Sequence, residues 1–74
     1  MKGDDHIRAV YGAWKARKGL RRDEAAQLAH IKAHTLDRRL ADPGSMTIRE
    51  LRQLISATHA TDDDVVRMIT GRTK

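Results

Sequence analysis

Apolar residues recur with helical spacing in five separate stretches of the chain. Ile7, Val10, Tyr11 and Trp14 fall at i, i+3, i+4 and i+7, one face of a helix running from about Asp5 to Lys18. Asp4 or Asp5 can cap its start, and Gly19 suits a left-handed residue just past its end. A short second pattern, from about Arg22 to His30, carries Ala25, Ala26, Leu28 and Ala29. Asp23 and Glu24 in its first turn complement the helix dipole. The third pattern spans about Ala33 to Ala41 and is stopped by Asp42, Pro43 and Gly44. The fourth opens on Thr47 and Glu50, a capping box ahead of Ile48, Leu51, Leu54 and Ile55. The fifth opens in the same way on Thr61 and Asp64, before Val65, Val66, Met68 and Ile69, and Gly71 ends it. Strand-like alternation, internal repeats and low-complexity linkers are absent from the sequence, and Gly71–Lys74 read as a frayed end. The pattern predicts an all-α fold of five short helices with tight connections.

The third pattern is the most informative. Stepping ~100° per residue places His34, Arg38 and Ala41 opposite the side that carries Leu36 and Leu40. Asp37 and Thr35 fall on the two flanks, and Lys32 sits just before the helix. The outer face thus offers donors, one acceptor and a small residue, the mixture a helix needs to enter a DNA major groove. Arginine can take both acceptors on a guanine edge, and short side chains let the backbone approach. The same face also fits an ordinary amphipathic helix with a polar exterior. The connection to the preceding helix, Ile31 to Ala33, has a length that suits two helices crossing steeply.

Charge sharpens this picture. The chain has 74 residues, enough for one small domain, and a formal net charge of +5. Lys15, Arg17, Lys18, Arg21, Arg22, Lys32, Arg38 and Arg39 face only Asp23, Glu24 and Asp37 in the same segment, so that segment holds the whole excess. Such a block suits a phosphate backbone or an anionic surface. A solvated basic face without a partner is the plainer reading.

Other chemistries find little support in the residues. The chain has no cysteine, which removes disulfides, thiolate zinc sites and cysteine nucleophiles and fits a reducing compartment. No apolar run approaches the ~20 residues of a membrane span, and the N-terminus lacks a signal-peptide apolar region. The reading is a cytoplasmic, soluble protein with no membrane partner. His30 and His34 have a metal-ligand spacing, but the expected turn separates them and no third ligand is near in sequence. Asp62–Asp64 read as a capping acidic turn. No catalytic constellation or glycine-rich phosphate loop is present, so neither an enzyme nor a cofactor or small-molecule ligand is expected. Tyr11 and Trp14, the only aromatics, are in phase with Ile7 and Val10 and are expected in the core, not stacked on bases.

The stretch from Arg21 to Leu54, RRDEAAQLAHIKAHTLDRRLADPGSMTIRELRQL, resembles the helix-turn-helix of the lambda-repressor-like (Cro/XRE-type) DNA-binding family, and most resembles the small regulators of phages and mobile elements. The likeness runs from about Ile7 to Ile69, with the motif at about 22–41. Ala26 matches the alanine that packs the first motif helix on the second, Ile31 the apolar residue after the turn, and Leu36 the anchor of the recognition helix. Two positions depart from the pattern. His30 stands where glycine usually opens the turn, and Arg21 where serine or threonine usually caps the helix. The resemblance implies a compact five-helix domain that binds double-stranded DNA and regulates transcription, as a repressor, from a bacterial or phage-encoded cytoplasmic protein. It implies base contacts from Lys32, His34, Thr35, Asp37 and Arg38, and phosphate contacts from Lys18, Arg21, Arg22 and Arg39. It also implies a homodimer reading half-sites ~34 Å apart. The fourth and fifth helices, with Ile55, Val66 and Met68, are candidates for its dimer surface. Two other readings stand beside it. One is an antitoxin-like or adaptor module that uses the same scaffold to bind a protein. The other is a nucleic-acid binder that uses charge without base reading.

Overall fold

Three residues with left-handed backbone set the corners of the fold: Gly19 (φ 63°), His30 (φ 58°) and His59 (φ 55°). Each follows the end of a helix, and the next residue's N–H reaches back over the last turn. Leu20 donates to the Lys15 carbonyl at 2.9 Å, Ile31 to Ala26 at 3.1 Å, and Ala60 to Ile55 at 3.2 Å. These bonds satisfy carbonyls that a helix end otherwise leaves open and redirect the chain sharply. Gly19 takes this conformation without steric cost, whereas the two histidines carry a Cβ in it.

The computed structural model describes residues 3–70, with side chains from Asp5 to Thr70. Five helices follow in order: α1 (Gly3–Lys18), α2 (Arg22–Ala29), α3 (Ala33–Ala41), α4 (Ile48–Thr58) and α5 (Asp62–Thr70). A single 3-10 turn, Pro43–Ser45, links α3 to α4. The described residues are all helix and short connection, as the apolar spacing predicts. Asp5 lies inside the first turn of α1, which begins at Gly3, and so does not cap it from outside. The expected stop at Gly71 and the four terminal residues lie outside the described residues.

The capping boxes form where the sequence places them. The Thr47 hydroxyl accepts from the Glu50 N–H at 3.1 Å, and the Glu50 carboxylate accepts from the Thr47 N–H at 2.8 Å. Thr61 and Asp64 make the same reciprocal pair at 3.1 and 3.3 Å. Each supplies acceptors to donors that helix geometry leaves unpaired. At α2 only half of the box exists. The Glu24 carboxylate accepts from the Arg21 N–H at 2.8 Å, but a guanidinium has no lone pair to offer in return.

α1 packs along α5 and against α4, and α2 packs against both α3 and α4. The core draws on every helix: Ile7, Tyr11 and Trp14 of α1, Ala25, Ala26 and Ala29 of α2, Leu36 of α3, Leu54 of α4 and Met68 of α5. The three alanines let α2 sit close to its neighbours. Tyr11 and Trp14 are buried, with ring centroids 6.0 Å apart and planes tilted by 56°. Thr58 is the buried polar residue, and its hydroxyl donates to the Leu54 carbonyl at 2.9 Å.

Three apolar residues lie elsewhere than the periodicity places them. Leu28 and Ile48 are grouped with the inward residues of α2 and α4 in the sequence pattern, yet both are exposed. Met68, a candidate for the dimer surface, is 4% exposed and belongs to the core. In α5 the pairs Val65/Met68 and Val66/Ile69 make two apolar stripes, and packing against α1 takes the first.

Candidate nucleic-acid interface

α3 is held from three sides. Leu36, 1% exposed, anchors it in the core. At its C-terminus the Arg8 guanidinium donates to the carbonyls of Leu40 (2.7 Å) and Ala41 (3.1 Å), and to Asp5 at 3.1 Å. These are helix-end carbonyls that Pro43 prevents from being used by a further turn. On the side facing α2, Asp37 accepts from the Arg22 guanidinium across the two helices. Tyr11 lies close enough to feel this pair. Burial first, and then the Asp37 charge, raise its hydroxyl pKa above 10.0, while Arg22 opposes the shift.

With the helix fixed in this way, His34 and Arg38 are exposed on its outer side, as is Ala41. Thr35 is half-buried on the flank. Arg38 and Lys32 make no ion pair with any described residue. Lys32 is the N-cap of α3 with extended backbone (φ −60°, ψ 140°), and it offers no side-chain acceptor. The first intrahelical bond runs from the Leu36 N–H to the Lys32 carbonyl at 2.8 Å. The N–H groups of Ala33, His34 and Thr35 therefore point out of the helix with no described protein acceptor. No carboxylate lies in this first turn. Free N–H groups, the positive end of the helix dipole and an adjacent lysine make a place for an anion.

The residues expected at phosphates divide into two sets. Arg21 is the N-cap of α2, with its side chain 79% exposed and only a loose 3.6 Å approach to Glu24. Lys18 is exposed at the end of α1. Arg22 and Arg39, by contrast, are engaged with carboxylates. Arg22 holds Asp37, and Arg39 donates to both oxygens of Glu50 at 3.0 and 3.3 Å, half-buried beside the 3-10 turn. Hydrogen bonding to the Thr47 N–H, and secondarily the Arg39 charge, hold the Glu50 carboxyl below 4.5. Asp37, expected at a base edge, is likewise taken by Arg22 in the free protein. The structure thus leaves Lys32, His34 and Arg38 exposed at α3 and ties Arg22, Asp37 and Arg39 into ion pairs between helices.

Sequence reasoning missed Arg8 and the two cations of α4, Arg49 and Arg52, which are exposed. A proline-stopped helix signals that its carbonyls need donors, but nothing in the spacing identifies a donor 32 and 33 residues away. Among the described residues no group of three or more metal-ligating side chains occurs, and no helix is long and apolar enough to cross a membrane.

No protein-family model, curated protein or solved structure matches the chain. The likeness to Cro/XRE-type proteins therefore rests on the residues themselves.

Proposed function

We propose that the protein is a sequence-specific binder of double-stranded DNA that regulates transcription by occupying an operator, with α2 and α3 serving as a helix-turn-helix. One observation carries this reading. α3 buries Leu36 on one side and presents on the other an uncapped N-terminus with Lys32, His34 and an unpaired Arg38. In such docking the N-terminal residues of the recognition helix lie nearest the bases. Lys32, His34 and Arg38 then face base edges, with Thr35 at the flank, while Arg21 and Lys18 hold phosphates. Arg22 and Arg39 act first as scaffold. The Arg22–Asp37 pair is surface-exposed and worth at most about 1 kcal/mol, so a phosphate or a cytosine amino group can still compete for either partner.

A homodimer belongs to the same proposal. With Met68 in the core, its surface falls on the exposed residues Val66 and Ile69 of α5.

The test is selection of bound sequences from a randomised duplex library at near-physiological salt. Enrichment of one short recurring sequence, relaxed at one position by Arg38→Ala, is the expected result. Binding without enrichment leaves a charge-driven association and sinks the sequence-specific reading. Absence of binding sinks the DNA reading altogether.

A further inference from the structure

The ends of α1 and α2 and the middle of α4 enclose a half-open groove of about 550 Å³. The exposed Leu28 and the half-buried Ala57 give it an apolar surface over the buried Trp14, and Lys18, Arg52, His30 and His59 surround it. No carboxylate lines it. His30 and His59 are the two non-glycine residues with left-handed backbone, and both stand at this groove. Glycine is the unstrained residue at such positions. Two separate helix ends thus accept local strain to place an imidazole at the same rim, and strain of this kind clusters where a surface has a use. No residue of α3 contributes to the groove, so it is distinct from the face that carries Arg38.

The same chain displays a complementary ridge. Asp62, Val66 and Ile69 follow i, i+4, i+7 spacing and share one side of α5. Val66 is 54% and Ile69 66% exposed, and Asp62 is exposed with no ion-pair partner among the described residues. Asp63, also exposed, flanks the ridge. The ridge thus has an acidic head followed by two apolar knobs, matching a groove with an apolar surface and a cationic rim.

We infer that the groove of one protomer receives the α5 ridge of a second copy, in a head-to-tail contact between two different surfaces. Val66 and Ile69 seat against Leu28 and Ala57, and Asp62 meets Arg52. The inference rests on the self-association in the proposed function, replaces a symmetric α5 surface with a heterologous contact that can extend beyond two copies, and is independent of whether the partner of α3 is DNA. A helix laid in a groove buries less than a standard interface of ~800 Å² per partner, so the contact is weak in free solution and sensitive to salt.

Sedimentation at low salt, from micromolar to millimolar protein, tests it without DNA. The wild-type chain is expected to gain mass with concentration. Arg52→Glu and Asp62→Lys, introduced separately, each weaken association about tenfold or more. An equimolar mixture of the two variants restores it, because each reversed charge then finds its opposite on the other protein. Val66→Ser weakens association without touching charge. Thermal melts of each variant confirm an intact fold, and an unfolded Asp62→Lys is replaced by Asp62→Asn in the single-variant comparison. A monomer throughout the range overturns both this contact and the homodimer. Association indifferent to Arg52→Glu overturns the groove contact alone and leaves a dimer built on another surface.

Discussion

The two helix pairs α2–α3 and α4–α5 are of similar length and share one core, yet their N-termini are finished in opposite ways. α4 and α5 begin with complete capping boxes on Thr47/Glu50 and Thr61/Asp64. α2 and α3 begin with Arg21 and Lys32, which have no acceptor to give. A good cap is worth about 1 kcal/mol, so α2 and α3 each forgo roughly that much. The open donors of α3 adjoin Lys32 and no carboxylate, whereas α2 carries Asp23 and Glu24 in its own first turn. In one half of the molecule the helix N-termini are closed by full reciprocal caps, and in the other they are capped in part, at α2, or not at all, at α3. The contrast adds to the proposal that the N-terminus of α3 meets an anionic partner.

The contrast should vanish in the core, where the largest effects are expected. Leu36 and Leu54 are the largest fully buried side chains, one from each half. Leu36→Ala and Leu54→Ala should each cost about 2–5 kcal/mol, comparable losses in a single cooperative unfolding transition. Urea denaturation followed by the fluorescence of Trp14 measures both. A loss at Leu36 well under 1 kcal/mol would mean that α3 is not anchored as described.

At the surface the halves should separate. Arg38→Ala should weaken binding to the selected duplex by about 1–3 kcal/mol while changing folding stability by no more than about 0.5 kcal/mol. Equal losses on selected and random duplexes would show that Arg38 touches phosphate, not base.

The sharpest comparison exchanges caps. Lys32→Ser gives α3 the acceptor it lacks and should raise stability by about 1 kcal/mol while weakening duplex binding. Thr47→Ala should do the reverse, lowering stability by a similar amount and leaving DNA affinity unchanged. If Lys32→Ser stabilises the fold and binds DNA as well as before, the open N-terminus of α3 has no part in binding.

The legible features are those set by one helix at a time. The spacing of Ile7, Tyr11 and Trp14, the boxes at Thr47 and Thr61, and the outward direction of His34 and Arg38 all follow from positions along a single segment. Contacts between helices escape such reading. Periodicity gives the direction of Arg22, Arg39 and Arg8 but not what each long side chain meets, and their partners lie 15, 11 and more than 30 residues away. Met68 shows the same limit, since two apolar stripes on α5 compete and only α1 decides between them. The convergence of His30 and His59 on one groove depends on how α2 and α4 pack.

The finished caps of α4 and α5 carry a cost that the open ones do not share, and it sets the smallest predicted effect. Hydrogen bonding to the Thr47 N–H and the neighbouring Arg39 hold the Glu50 carboxyl below 4.5. The bond to His6, Nε2 to Oδ1 at 3.0 Å, and those to Thr61 hold Asp64 below 3.8. A carboxyl whose pKa is lower folded than unfolded stabilises the fold fully above its unfolded value, and that contribution fades as pH falls through the folded one. Stability should therefore hold between neutral pH and about pH 5 and decline below it, with α4 and α5 responsible. Glu50→Gln keeps an acceptor for the Thr47 N–H but does not titrate. It should be slightly less stable than wild type at neutral pH, having lost the charge facing Arg39, and should lose less on acidification. Urea midpoints measured from neutral pH to about pH 3 give the comparison. An acid decline as steep in Glu50→Gln as in the wild-type chain would move the acid-sensitive contact away from the α4 cap.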